Sequence, residues 1–347
     1  MNPVILTMAY FMIFMGSMIV FISSHWLVTW IGFEMNLMAM IPLMLVNKTP
    51  RSTEAATKYF ITQASASMIF MFAVILNFML YSQWNMLMKL NPTSSLLLTM
   101  AMLMKLGMAP FHFWMPEVTQ GVSLSTGMIL LTWQKLAPLS IMYQILPSIN
   151  YELIMTSAIM SILIGGWGGL NQLQLRKIMA YSSISNMGWM MAVLTYNPTL
   201  MILNLTVYII ITLTMFMYLN SYNITTTSML SQLWNINTTF TIMMSLILLS
   251  LGGLPPLTGF IPKWLIIQEM TKNNNIILPT FMAMLTLINL LFYTRLIYSS
   301  SMTLFPSTSS SKLKWHYKTP KMNIMTPTLS TLSILLLPLS PMFIIFT

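Results

Sequence analysis

Lys105-Leu-Gly-Met-Ala-Pro110-Phe-His-Phe-Trp-Met-Pro116-Glu117 and Leu251-Gly-Gly-Leu-Pro255-Pro256-Leu-Thr-Gly-Phe-Ile-Pro262-Lys263 each interrupt a long apolar run with helix breakers. Both contain Leu-Gly-x-x-Pro, and both have a lysine beside the break. Proline removes a backbone donor and clashes with the preceding turn. The carbonyls it frees need neighbours or water, so a break inside a membrane is tolerated where it lines a polar cavity. Pro110, Pro255 and Pro256 are the expected break points.

The runs around these breaks are of membrane length. The chain has 347 residues, of which 56% are hydrophobic and 6% charged, with no Asp. A soluble protein of this size needs far more polar surface. Spans of about 20 apolar residues cross the hydrocarbon core, and only helices fit this pattern. The sequence predicts an all-α polytopic membrane protein with about eleven spans. They lie near residues 3–22, 25–46, 55–81, 94–118, 123–146, 152–170, 178–195, 199–220, 240–270, 276–300 and 323–346. The breaks then fall in the fourth and ninth spans, five helices apart. Five is odd, so the second copy runs antiparallel to the first, as in an inverted-topology repeat. The expected division is a first five-helix repeat over 1–146, a second over 147–300, and a basic loop with a last helix over 301–347. The N-terminal run has no basic region before it and reads as a first transmembrane helix.

Basic residues support the count. Ten fall on the N-terminal face: Lys48, Arg51, Lys58, Arg176, Lys177, Arg295, Lys312, Lys314, Lys318 and Lys321. Only Lys89 and Lys272 fall on the other, so the positive-inside rule puts the N-terminus on the cytoplasm-equivalent side. The net charge of +10 reflects this topology signal and not a nucleic-acid surface, since no basic stripe or RNA-binding aromatic pattern exists. Sequons at Asn47, Asn204, Asn223 and Asn237 read as unused matches.

Four ionisable residues remain inside spans: Glu34, Lys105, Lys135 and Lys263. Each costs roughly 2.5–3.5 kcal/mol at mid-bilayer on insertion scales, and such residues mark ion or proton paths. Lys135 is far from either end of its span and cannot readily snorkel. Desolvation disfavours charged forms, and a lysine that can give up its proton suits a relay. Glu34 has no basic neighbour on its own helix; Lys105 and Lys135 are candidates to approach from other helices, the alternative being a neutral Glu34 hydrogen-bonded to Asn36 or a backbone carbonyl. His112, beside the first break, is a further candidate relay. Glu54 and Lys58 read as an i,i+4 surface pair. Gly165-Gly-Trp-Gly-Gly169 reads as a close-packing segment and lacks the end of a phosphate loop. Cysteine is absent, and His25, His112 and His316 lie far apart. Neither a metal site nor a cofactor-binding site is therefore expected in this chain.

Three segments carry a resemblance: Asn47-Lys-Thr-Pro-Arg-Ser-Thr-Glu-Ala-Ala-Thr-Lys-Tyr-Phe60, Pro110-Phe-His-Phe-Trp-Met-Pro-Glu-Val-Thr-Gln-Gly121 and Gly252-Gly-Leu-Pro-Pro-Leu-Thr-Gly-Phe-Ile-Pro-Lys-Trp264. With them the chain resembles, over essentially its whole length, the mitochondrially encoded antiporter-like membrane-arm subunits of respiratory complex I, the NADH–ubiquinone oxidoreductase. Its length and 40 methionines look mammalian. The resemblance implies proton pumping driven by electron transfer elsewhere, with flavin, iron–sulfur clusters and quinone in other subunits. It matches Glu34 and Lys105 to a glutamate–lysine pair, Lys135 to a central lysine and Lys263 to a lysine on the second broken helix. It also implies the mitochondrial inner membrane, with the N-terminus in the matrix and the C-terminus in the intermembrane space. Implied partners are other membrane-arm subunits, including neighbouring antiporter-like ones, and lipids such as cardiolipin. The larger relatives have fourteen helices; this chain resembles the shortened animal form without three N-terminal helices, and it lacks a long lateral helix. Two other readings compete: a stand-alone cation/proton antiporter and a purely structural membrane-arm subunit.

Overall fold

The computed structural model describes residues 3–86, 90–302 and 325–335. The described residues are helical, apart from turns and two isolated bridges, His25 with Asn85 and Gln174 with Thr226. Among the described residues, six helices are long and apolar enough to cross a membrane. Their outward faces are apolar: Ile277, Phe281, Met284, Leu287 and Leu291 form an exposed stripe on one helix, as lipid contact requires and water would penalise. The chain forms two compact units, Met1–Ser161 and Ile162–Thr347.

The first unit begins with α1 (Pro3–Ile22) packed along α2 (Trp26–Met44). Gly16 and Gly32 let the two backbones approach closely. The His25 ring caps α2 by accepting from the Leu27 amide at 3.2 Å, and stacks on Trp84. Helix α3 (Pro50–Tyr81) starts earlier than its apolar run. Thr49 and Ser52 form a capping box there, and Pro50 sits in the first turn, where its missing amide costs nothing. Helix α4 (Pro92–Leu106) stops at the first break, and α5 (Trp114–Gly121) resumes beyond it. The fifth expected span is not continuous. It consists of α6 (Leu124–Leu131), a 3₁₀ turn (Trp133–Lys135) and α7 (Leu136–Gln144). Pro138 explains this: with no amide hydrogen and a ring that crowds the Gln134 carbonyl, it prevents a regular α-turn at that point.

The second unit takes the end of α8 (Tyr151–Leu170), then α9 (Leu175–Leu194) and α10 (Pro198–Ser221). The uncharged stretch that connects the expected spans at 199–220 and 240–270 contains α11 (Thr227–Ile236), whose Leu230 and Leu233 are buried. Thr226 caps it by accepting from the Met229 amide. Helix α12 (Thr238–Gly252) ends at the second break, followed by α13 (Phe260–Lys272), α14 (Ile277–Ile297) and a π turn (Tyr298–Met302). Helix α15 (Met325–Leu335) packs on α10 and α12, and the Thr258 hydroxyl donates to the Ser333 carbonyl at 2.5 Å. Lys89, most of the basic loop with Lys312, Lys314, His316, Lys318 and Lys321, and the remainder of the eleventh expected span lie outside the described residues. The glycine-rich end of α8 serves close packing: a Cβ at Gly168 would strike Tyr181, and one at Gly169 would strike Phe292.

The two breaks share one backbone device. Gly107 at φ 68° and Gly253 at φ 83° end their helices in the left-handed region, which favours glycine. The next amides, of Met108 and Leu254, reach back to the Leu103 and Leu249 carbonyls, completing a Schellman cap in each case. The register differs by one residue. The cap is the only glycine of Leu106-Gly107 but the second of Leu251-Gly252-Gly253.

Candidate functional site: two lysine-lined cavities at helix breaks

Lys105 lies in the last turn of α4, two residues before its capping glycine, and is 8% exposed. Its ammonium sits 3.5 Å from the centre of the Phe33 ring. Such a cation–π contact is worth about 2 kcal/mol when desolvated. Lys135, 3% exposed, closes the 3₁₀ turn between α6 and α7. The two lysines line the same cavity, whose room for water is about 20 Å³. That suffices for roughly one water. Asn36, Tyr59, Gln63 and Gln134 supply its polar wall. The Asn36 Oδ1 and Gln134 Nε2 atoms are buried without a protein partner. Unsatisfied groups of this kind are what an enclosed water serves.

Glu34 is half-buried and does not line that cavity. It follows Phe33, so it stands one residue from the ring beneath Lys105, and its charge acts on Lys105. The two are not in ion-pair contact; the ion pairs found are Lys58 with Glu54 and Glu117, and Lys272 with Glu269. His112 lies inside the first break, where its ring packs on Phe113 and its Nδ1 is buried without a hydrogen-bond partner. It does not line the cavity either. The Ala109–Pro110 peptide is cis, and Pro110, Pro255 and Pro256 are all exposed within the breaks.

Lys263 belongs to the second unit. It follows its break, in the first turn of α13, and its Nζ donates to the Gly252 carbonyl at 3.0 Å. This places a cation at the negative end of α12, where the helix dipole favours it. A second cavity, also with about 20 Å³ of room for water, is lined by Lys263 with Asn186, Asn204, Tyr208 and Ser250. None of these four polar partners stood out in the sequence; Asn204 was visible only as a sequon. Asn204 and Tyr208 stand one turn apart on α10, but Asn186 comes from α9 and Ser250 from α12, so no local spacing joins the set.

The pair Glu54–Lys58 forms, at 2.5 Å, and gains Glu117 of α5 at 2.7 Å. This exposed triad ties the helix beyond the first break to α3. Among the described residues, no group of three His, Cys, Asp or Glu is placed to hold a metal.

Comparison with known proteins agrees with this architecture. Residues 23–289 match the family described as NADH:quinone oxidoreductase/Mrp antiporter, transmembrane, and residues 290–344 match NADH dehydrogenase subunit 2 C-terminus. The chain is 60% identical over 342 residues to NADH-ubiquinone oxidoreductase chain 2 of Bos taurus, covering 99% of each. Its fold is similar to a chain of Thermus thermophilus respiratory complex I, with a TM-score of 0.78 at 22% identity over 93% of this chain and 77% of that one. It is also similar to a chain of the Mrp complex from Dietzia sp., with a TM-score of 0.81 at 14% identity over 96% and 74%. The chain belongs to the NADH:quinone oxidoreductase/Mrp antiporter transmembrane family.

Proposed function

We propose that this chain is a proton-translocating core subunit of respiratory complex I, multi-pass in the mitochondrial inner membrane, which couples NADH oxidation by ubiquinone to proton movement. Flavin, iron–sulfur clusters and quinone belong to other subunits, so this chain acts by moving protons and not electrons. Its partners are the other membrane-arm subunits, neighbouring antiporter-like ones among them, with lipids such as cardiolipin filling the grooves. Full-length identity of 60% to an oxidoreductase chain favours this over a stand-alone cation/proton antiporter.

Lys105 and Lys135 sharing one buried cavity is the observation that carries the mechanism. Two cations facing one small wet space cannot both hold their protons cheaply. Glu34 decides the balance. When it swings onto Lys105, it holds that proton; when it stands off, Lys105 passes the proton towards Lys135. Lys263 performs the equivalent step in the second unit, resting on the Gly252 carbonyl between transfers. His112 serves as a further relay at the first break. Eleven helices arranged as two inverted five-helix repeats, 1–146 and 147–300, with 301–347 as an extra element, account for the paired breaks. The N-terminus then faces the matrix and the C-terminus the intermembrane space. Terminal tags reporting both ends on one face would exclude that count.

The test is Glu34→Gln, Lys105→Met, Lys135→Met and Lys263→Met in the assembled enzyme. Each variant should assemble yet lose both proton pumping and NADH oxidation, because a coupled pump stalls when one channel is blocked. Wild-type turnover and proton-to-electron ratio in all four would overturn the reading.

A further inference from the structure

The Lys263 cavity does not end at its walls. Tyr208 of α10 lines it, and the Tyr208 hydroxyl is hydrogen-bonded to Ser183 of α9. The next residue, Ser182, is hydrogen-bonded to the hydroxyl of Tyr293 on α14, and Tyr293 lies near enough for its charge to act on Tyr208. All four side chains are buried, none more than 3% exposed. One helical turn before Tyr293 is Asn289, on the same face of α14. It is 4% exposed, and its Oδ1 has no partner. Gly166 leaves the space that this amide fills, since a Cβ there would come within 2.9 Å of Oδ1.

This density of paired hydroxyls is not needed for packing, which apolar side chains of the same size achieve without desolvating polar groups. Hydroxyls differ from the other polar groups available in being donor and acceptor at once. The serine O–H groups also donate to carbonyls one turn back, Ser182 to Met179 at 2.8 Å and Ser183 to Ala180 at 2.6 Å. Each serine oxygen therefore keeps a lone pair for a tyrosine O–H, and each serine proton can turn from the carbonyl to the tyrosine oxygen.

We propose that Tyr208, Ser183, Ser182 and Tyr293 form a proton-conducting file that extends the Lys263 cavity through the second unit towards Asn289. The inference rests on the reading of Lys263 as a proton-carrying residue. Within each tyrosine–serine pair a proton bonds to a lone pair of one hydroxyl oxygen while that oxygen releases its own proton onward; between Ser183 and Ser182, neighbours on α9, a water carries it. No atom is gained or lost, and rotation of the hydroxyls resets the file. One water in the cavity bridges the Lys263 ammonium and the Tyr208 hydroxyl.

The test is Tyr208→Phe, Tyr293→Phe and Ser183→Ala in assembled complex, beside Lys263→Met. Tyr218→Phe, a buried tyrosine of α10 outside the file, is the control. The file variants should assemble at wild-type level and lose NADH oxidation by about tenfold, the effect of one added barrier of proton transfer. Their solvent deuterium isotope effect should rise, which a loss of packing alone would not cause. Tyr218→Phe should retain wild-type turnover and isotope effect. Should Tyr208→Phe fail to assemble, Ser183→Ala, which removes one oxygen, decides. Wild-type turnover and isotope effect in the file variants, with Lys263→Met inactive, would overturn the file and leave the lysine mechanism standing. A fully active Lys263→Met would overturn both.

Discussion

The first break holds its lysine before the gap, and the second holds its lysine after it. Lys105 sits on the last turn of α4 with its charge over an aromatic face, while Lys263 sits on the first turn of α13 and reaches back to a carbonyl of α12. The caps are alike, so the difference lies in what each cation is given as a partner. A ring face is a soft, non-directional partner that leaves the ammonium's three N–H donors to the cavity. A helix-terminal carbonyl is a directional one that occupies a donor and is itself left unpaired if the lysine goes. In the proposed mechanism the first break serves exchange with a second lysine, and the second serves structural closure as well as exchange.

The comparison is broken most sharply at the caps. Gly253→Val forces a β-branched residue to φ 83° and drives its Cβ within 2.8 Å of Lys263 Nζ. The backbone penalty alone is roughly 1–2 kcal/mol, and the displaced lysine adds to it. Assembled complex on native gels should fall steeply. Gly107→Val should do the same less severely, because its nearest obstacle is the flexible end of Met115. Equal, wild-type amounts would refute the shared device.

Next in size is the contrast between the lysines. Lys263→Met strands the Gly252 carbonyl, at a cost of about 1–3 kcal/mol, whereas Lys105→Met removes a buried charge that no carbonyl depends on. Both should stall turnover, but only the former should lower the thermal inactivation temperature. The opposite order would erase the distinction between an exchanging site and a closing one.

Phe33→Leu sharpens it further. It keeps apolar bulk under Lys105 but withdraws the quadrupole, worth about 0.5–2 kcal/mol to the cation. Turnover should change measurably without reaching the loss seen in Lys105→Met. Turnover equal to wild type would show the ring to be mere packing.

The smallest effect is expected outside the cavities. Glu117→Gln removes one arm of an exposed triad, and exposed pairs contribute little and are screened. Turnover should stay within about twofold at low salt and match wild type at high salt. A larger loss would give the triad a role in coupling.

Much of the fold was legible because a membrane allows so few solutions. Apolar length located the six long apolar helices found among the described residues, and Gly and Pro located both interruptions. The break at Lys135 was missed: the fifth span was expected to be continuous, because a proline near the middle of a span, here Pro138, says little without knowing whether the helix bends or stops. Helix α11 was missed because an uncharged stretch was read as loop, although Thr226 and the spacing of Leu230 and Leu233 signalled a capped amphipathic turn. The ionisable residues announced themselves by their cost. Their company did not: Asn36, Gln63 and Gln134 in one unit, and Asn186 with the Asn204–Tyr208 turn of α10 in the other, are ordinary residues of different elements, and only packing gathers them. The reach of Lys263 to Gly252 likewise spans eleven residues and a turn whose path no periodicity dictates.

Helix α3 contains 32 residues. At about 1.5 Å per residue it is roughly 48 Å long, well beyond a hydrocarbon core of about 30 Å. Its first turns carry Glu54 and Lys58, clasped to Glu117; the very next positions on the same rod, Tyr59 and Gln63, wall the Lys105 cavity. A helix resists bending over so short a reach. A displacement applied at the Glu54–Lys58 end of so long a helix would reach the space between Lys105 and Lys135 along a single rigid element. A neighbouring subunit that leaned on that end would not need to touch the cavity to change its size.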